Sequence, residues 1–382
     1  MTRTYLDHAS TTPPRPEVLA ALTRWMDLPA ADPGRLHAEG RIVRDALEEA
    51  RQQVADLVGA APREVVFTSG GTEAINAAVW GATRQHQGAP VLFADVEHSA
   101  VREASTRLAP TELIPVDRTA RLDPDALAAR LAASSDPRPA LVHCQWANHE
   151  VGTLQPVHEI VGLCRAAGVP VHVDAAAACG HVLMDLGELG ADLVSLSAHK
   201  IGGVPGAGAL IIRRGGRFDP LIVGGEQERA RRGGLEAIPA LLAFGAAAAA
   251  LGADDSRLLR AEADSAREAI AALAASATAV EGVDVVGPTR PEQRLPSLLC
   301  LGVQGVEAEP VLIGLDRAGV AVHSGSACSS ESIEPSPVLE AMGVDASHSL
   351  RVSVGWTTTA EDVTAFGIAF AEVVAGLRAL RG

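Results

Sequence analysis

The chain has 382 residues, 47% of them apolar, and a net charge of −15 at neutral pH. That length exceeds one compact core and suggests about two domains, which the apolar share is ample to fill. The acidic balance argues against nucleic acid as the main partner, since phosphates need a basic face, although Arg229, Arg231 and Arg232 form a local basic cluster.

From Arg44 to Arg213 helix-like and strand-like segments alternate. Arg44 to Val58 is amphipathic at helical period, with Leu47, Val54 and Leu57 as markers. A strand is expected at Glu64 to Thr68, a helix at Ala74 to Thr83, a strand at Pro90 to Ala94 and a helix at His98 to Leu108. Further strands are expected near Leu141 to Cys144, Val169 to Val173, Leu193 to Leu196 and Gly208 to Ile212. Short apolar runs separated by helices are the pattern of a mostly parallel sheet covered on both faces, with its chemistry at the carboxyl ends of the strands.

A long Ala- and Leu-rich helix follows from about Pro239 past Ala274, with an interruption near Gly252 to Asp255. After it, short strands (Val283 to Val286, Leu298 to Val303, Ser349 to Val354) mix with helices at Pro310 to Ala318, Pro337 to Met342 and Ala360 to Leu380. This texture predicts an α+β second domain. The expected division assigns 13–255 to a large domain, and 1–12 with 256–382 to a small one.

The opening Met1 to Asp7 lacks the apolar core of a signal peptide, and no continuous apolar run reaches the roughly 18–20 residues of a membrane span. Five cysteines without paired spacing (Cys144, Cys164, Cys179, Cys300, Cys328) speak against a disulfide framework. A cytoplasmic protein with no membrane contact is the expectation. Among the 32 basic residues there is a single lysine, Lys200. Arginine supplies charge but cannot replace a lysine ε-amine as a nucleophile toward an aldehyde, so Lys200 is a candidate for covalent chemistry.

Four features fall at predicted strand ends. Thr68-Ser69-Gly70-Gly71-Thr72-Glu73 leads a strand into a helix, a pattern that can seat a phosphate on free backbone N–H groups. Val171-His172-Val173-Asp174 leaves a carboxylate at the end of a buried strand, as a helix cap or as the partner of a buried cation such as a pyridinium. Ser197-Ala198-His199-Lys200 brings the lysine out beside two groups able to hydrogen-bond a phosphate. Glu97-His98 places an imidazole where it can stack on a ring or pass protons.

With these residues in view, the chain resembles the cysteine desulfurases of the aminotransferase-like fold, from Tyr5 almost to the C-terminus. Tyr5 to Pro13 is similar to the family's opening. Thr72-Glu73, Glu97-His98, His172-Val173-Asp174 and His199-Lys200 match its cofactor site in order and spacing. Ser324 to Ser330 with Glu334-Pro335-Ser336 resembles the catalytic-cysteine loop of the long-loop branch, and Leu350-Arg351-Val352-Ser353 resembles the segment carrying the arginine for the substrate carboxylate. The resemblance implies a type I pyridoxal-phosphate fold of the α/β class, with a mostly parallel seven-stranded sheet sandwiched by helices and a smaller α+β domain.

It further implies pyridoxal 5'-phosphate as cofactor, held by Gly71, Thr72, His98, His149, Asp174, Ser197, His199 and Lys200. Cys328, Lys200 and His98 would be catalytic, and Arg351 with His149 would bind substrate. L-cysteine would give L-alanine and a persulfide on Cys328, which passes its sulfur to an acceptor protein. A homodimer is implied, and neither a metal nor direct nucleic-acid contact is expected.

Several positions depart from the family pattern. Ala177 stands where the family has glutamine, and His149 where it has asparagine. Gly233, Gly234 and Leu235 replace a serine-glycine-threonine stretch whose threonine reaches the second subunit's phosphate. Ala198 replaces a glycine, and Asp32-Pro33 an asparagine-proline. Each change removes about one hydrogen bond, worth roughly 0.5–1.5 kcal/mol if neutral. Alternatives are therefore a C–S lyase or selenocysteine lyase with the same cofactor, or a non-catalytic paralogue acting as a partner-binding subunit. Cys328 in its loop speaks against pure elimination, and the set Lys200, Asp174, His98, Cys328 and Arg351 against a scaffold.

Overall fold

The structure is a computed structural model that describes residues 3–133, 137–324 and 336–380. Cys328 and the rest of 325–335 lie outside the described residues.

In chain order the elements are β1 (Thr4–Tyr5), α1 (Pro16–Trp25), α2 (Ala38–Val58), β2 (Val65–Thr68), α3 (Gly71–Gln85), β3 (Val91–Phe93), α4 (Ser99–Leu108) and β4 (Thr111–Leu113). Then come α5 (Pro124–Ala132), β5 (Leu141–Gln145), α6 (Val157–Ala167), β6 (Val171–Asp174), α7 (Leu186–Leu189), β7 (Leu193–Ser197), β8 (Gly208–Ile212), α8 (Gln227–Ala230) and α9 (Ile238–Thr278). The chain closes with β9 (Val283–Val286), β10 (Leu298–Val303), α10 (Ala308–Arg317), β11 (Val320–Ala321), α11 (Pro337–Ala341), β12 (Ser349–Ser353) and α12 (Ala360–Ala379).

Among the described residues the main sheet has seven strands in the order β2-β8-β7-β6-β5-β3-β4. The strands from β7 to β4 run parallel, while β8 is antiparallel to both its neighbours. A three-stranded antiparallel sheet (β12-β10-β9) and a parallel β1-β11 pair complete the set. The mostly parallel α/β architecture is as expected. The sequence assigned no range to β1, α1, β4, α5, α6, α7, α8 or β11; of these, β4 is an edge strand whose three residues between Pro110 and Pro115 carry no apolar run to signal a strand. Helix α2 begins six residues before Arg44, at Ala38, because His37 caps it: its Nδ1 accepts the Gly40 N–H at 3.1 Å.

Helix α9 spans the interruption read from the sequence. Asp254, Asp255 and Ser256 have positive φ, and helical geometry resumes beyond them. By length and composition it could cross a membrane. Its apolar residues instead pack inward: Leu241, Phe244 and Leu251 join the core against α2 and the sheet, while Ile270, Leu273 and Ala277 join a second core with β10, β12 and α12. The opposite sheet face is covered by Ala74, Ile75 and Ala78 of α3 and Val101 of α4. Both faces are thus sealed, which leaves the carboxyl ends of the parallel strands as the open side.

Candidate active site

Those carboxyl ends converge on a cavity of about 510 Å³. Its wall includes Gly71, Thr72, His98, His149, Asp174, Ser197, His199, Lys200 and Arg351. Residues as far apart in sequence as Gly71 and Arg351 therefore share one space.

Each arrives by a local device. Strand β2 ends at Thr68, and Ser69-Gly70-Gly71 turns into α3, whose N-cap Gly70 offers no side chain to the first N–H groups. The turn sits tightly against β8: a Cβ on Gly208 would lie 2.6 Å from Gly70 backbone atoms, so glycine is required there. Strand β6 delivers Asp174, whose Oδ1 accepts from Ser195 Oγ at 2.8 Å and from Ala176 N at 3.1 Å. Strand β7 ends in Ser197 and a 3-10 turn, Ala198–Lys200, which carries the lysine into the cavity. The Lys200 ammonium donates to the carbonyl of Ala9 on the N-terminal segment.

His98 is the N-cap of α4 and accepts the Ala100 N–H through Nδ1 at 3.1 Å. Burial chiefly, then neighbouring His149, Lys200 and Arg102, lower its pKa to about 4 against an opposing pull from Asp174. His199 is likewise brought to about 4 by burial and Lys200. Both rings are therefore neutral at physiological pH, able to accept a proton or present an uncharged face. Beneath them the wholly buried Glu97 is raised to about 8 by desolvation, with Asp174 adding to the effect and the Gln145 N–H opposing it.

Arg351 is 4% exposed on its side chain and carries the preorganised fork that matches a carboxylate. Its Nη2 donates to Asp7 Oδ1 at 2.9 Å and to Ser10 Oγ at 2.7 Å, and its Nη1 to the His149 carbonyl at 3.0 Å. Nε is buried without a partner among the described residues.

The full-length pattern has relatives. The aminotransferase class-V family model matches residues 4–366. A cysteine desulfurase of Cereibacter sphaeroides is 41% identical, covering 94% of this chain and 93% of its own. Cysteine desulfurase IscS of Methanosarcina thermophila is 35% identical, covering 98% and 92%. The chain belongs to the cysteine desulfurase family of class-V aminotransferases. Its fold agrees with that of a NifS-like protein from Rickettsia africae, with a TM-score of 0.88, 29% identity, and coverage of 98% and 99%. It also agrees with an apo cysteine desulfurase from Thermococcus onnurineus at a TM-score of 0.85 and 23% identity.

The residues present in this desulfurase-family pocket suit pyridoxal phosphate, the cofactor of the family. The uncapped N-terminus of α3 and Ser197 suit a phosphate, the anchored Asp174 carboxylate suits a protonated ring nitrogen, and the one lysine opens onto the same space. The cavity is also lined by Ala177, so no side-chain hydrogen-bonding group exists at that position. Leu235 is 62% exposed, on a loop held by the Arg232–Glu73 ion pair at 3.0 Å.

Sequence reasoning passed over four residues that shape the site. Asp7 and Ser10 hold Arg351, Ser195 holds Asp174, and Gln145 lines the wall. Ser195 and Gln145 could have been found by register, since both pair with Asp174 across the sheet. Asp7 and Ser10 carry no such local signal, because their partner is more than 340 residues away.

Proposed function

We propose that this protein removes sulfur from L-cysteine, releasing L-alanine and leaving the sulfur on Cys328 for delivery to an acceptor protein. The observation that carries this reading is the meeting of the only lysine, the anchored Asp174, two neutral imidazoles and Arg351 around one cavity. Lys200, Asp174, His98, Ser197, His199, Thr72, Gly71 and His149 are the residues that would hold the cofactor. When bound, pyridoxal phosphate supplies a reversible electron sink for the substrate carbons.

The chain's own groups do the rest. Arg351 takes the substrate carboxylate in a bidentate grip, giving up Asp7 and Ser10 as it does so. Lys200 and neutral His98 move protons at the substrate amine, α-carbon and thiol. The Cys328 thiolate forms an S–S bond to the substrate sulfur as the Cβ–S bond breaks, and the released electron pair with a proton completes the methyl group of alanine. A thiol on the acceptor then takes the terminal sulfur and restores Cys328. The four cysteines within the described residues are buried, and burial raises Cys144, Cys164, Cys179 and Cys300, so none of them competes as a thiolate.

The reading places the enzyme in the cytoplasm as a homodimer and divides it at 255, with 1–12 joining 256–382. The second apolar core, which joins Leu6 to residues between Ile270 and Val374, supports that division, while Leu259, Leu298, Cys300 and Leu339 pack across it into the main core.

Product analysis tests the proposal. Purified holoenzyme mixed with L-cysteine and a reductant is expected to give alanine and sulfide in equal amounts, abolished in Cys328→Ala. Pyruvate and ammonia in their place would assign the site to C–S elimination, and no product from cofactor-loaded protein would leave a partner-binding role.

A further inference from the structure

Glu150 lies just behind the pocket wall and is 5% exposed. Its position is prescribed by a tight turn, in which the Asn148 Oδ1 accepts the N–H groups of both Glu150 and Val151 at 2.9 Å. One carboxylate oxygen faces His149 Nε2 at 3.5 Å, and the other accepts from the Ser336 hydroxyl. Ser336 is 1% exposed and also caps α11, accepting the Leu339 N–H at 3.2 Å.

Ser336 is the first described residue after 325–335, the stretch that contains Cys328. On the other flank, His323 exchanges two backbone hydrogen bonds with Arg351, at 2.7 and 3.1 Å. Arg351 in turn donates to the His149 carbonyl. Both flanks of the Cys328 stretch are thus fastened to the wall segment 148–151 and to β12. The N-terminal fastening is backbone to backbone. On the C-terminal side, where Val338 and Leu339 pack into the main core, the first residue of the flank is held by a side-chain carboxylate that also faces a pocket imidazole.

A buried carboxylate is costly unless its oxygens are satisfied, and an apolar side chain would serve packing alone. We propose that Glu150 is a positioning residue: through Ser336 it sets where the Cys328 stretch leaves the wall, and through His149 it ties that exit to the substrate pocket. This rests on the reading of Cys328 as sulfur acceptor. Glu150 touches neither substrate nor cofactor in this scheme, and it acts on the delivery of the thiol.

The test uses holoenzyme with Glu150→Gln, Ser336→Ala, Ser336→Thr and the double variant. Cysteine binding, titrated by the change in cofactor absorbance, is expected to stay close to wild type. The single-turnover rate of sulfur appearing on Cys328, followed by quenching and mass spectrometry, is expected to fall roughly 10–100-fold in Ser336→Ala, the range for a buried hydrogen bond to a charged group, and by less in Glu150→Gln, whose amide oxygen still accepts from the Ser336 hydroxyl without the charge. Ser336→Thr, which keeps the hydroxyl, should recover most of the rate. The double variant should lose no more than Ser336→Ala alone, because both changes act on one link.

Additive losses, no rescue by threonine, or a loss confined to thermal stability would overturn the inference, and Ser336→Ala decides it should Glu150→Gln fail to fold. Cys328→Ala separates the two readings. If it still yields alanine and sulfide at the wild-type rate, the acceptor reading fails. If it is inactive while Glu150→Gln and Ser336→Ala transfer normally, the positioning inference fails alone.

Discussion

The imidazoles of His98 and His149 meet edge to face, with ring centroids 5.1 Å apart and planes at 65°. The His149 ring makes protonation of His98 less favourable, and burial adds the larger share. At position 149, where the sequence resemblance leads to an expectation of asparagine, this chain carries the second ring of that pair.

An acid limb follows from that pair. His98 stays neutral until pH falls toward about 4, so a reaction step that needs it as a proton acceptor is lost only on that approach. In His149→Asn one of the forces lowering His98 is gone, and the acid limb of kcat/KM should move to higher pH while staying below 6.5, because burial persists. A pH–rate profile of the two proteins checks this, and an unmoved limb would show that the rings do not interact in solution.

Glu97 gives an opposite pH dependence, in stability. The unfolded chain releases this proton near 4.5 and the folded chain near 8. Between those values the folded state holds the extra proton, so stability falls as pH rises, by about 1.4 kcal/mol per pH unit from this group alone. Glu97→Gln keeps an acceptor for the Gln145 N–H, now at 2.7 Å from the carboxylate, and has no proton to lose. Its urea midpoint should therefore exceed that of wild type by more at pH 8 than at pH 5. An equal difference at the two values would mean that Glu97 is not held protonated.

The lone lysine makes cofactor attachment unusually clean to read. Treating the protein with pyridoxal phosphate and borohydride should fix one cofactor on the peptide containing Lys200. Lys200→Arg retains the charge but should carry none there, and should lose the visible absorbance of the bound cofactor. Persistence of that absorbance in Lys200→Arg would remove the assignment.

These groups differ in how far the sequence alone discloses them. Lys200, Asp174, Ser197 and the Gly70-Gly71 turn were legible because each ends a short apolar run, and strand ends are where a parallel sheet exposes chemistry. The same logic located β2, β3 and β5 to β8. It missed β4, since a three-residue edge strand made of half-buried Thr111 and Glu112 and an exposed Leu113 carries no apolar run. It also missed Asp7 and Ser10 as partners of Arg351, because a contact between the two ends of the chain is decided by how β12 packs on the N-terminal segment. The roles of Glu150 and Ser336 were hidden for the same reason, being separated by 186 positions.

Arg351 is held in advance by Asp7 and Ser10, so its fork is oriented before substrate arrives. Arg351→Lys preserves the charge but not the paired donors. The loss of one charge-assisted hydrogen bond, about 1.5–3 kcal/mol, predicts a KM for cysteine raised roughly 10–100-fold with the cofactor spectrum intact. A change confined to kcat would place Arg351 elsewhere than at the substrate carboxylate.

The loop bearing Gly233 to Leu235 is held from beneath by Arg51 and Glu228, side chains only 3% and 1% exposed. The guanidinium meets both carboxylate oxygens at 2.6 and 2.7 Å, and the Phe67 N–H donates to one of them at 2.8 Å. Glu228, Arg229 and Ala230 all have positive φ, a left-handed turn that non-glycine residues adopt only under constraint. The buried pair supplies that constraint. Removing Glu228 leaves the buried Arg51 with only Glu48, at 3.0 Å from Nε, and the Phe67 N–H without its acceptor, so Glu228→Ala should cost toward the lower end of about 3–5 kcal/mol in urea unfolding. It should also free the turn, and with it the Arg232–Glu73 contact beside the N-terminus of α3. Cofactor retention on dialysis should therefore fall along with stability. A destabilised protein that keeps its cofactor as tightly as wild type would show that this turn supports the fold and not the phosphate seat.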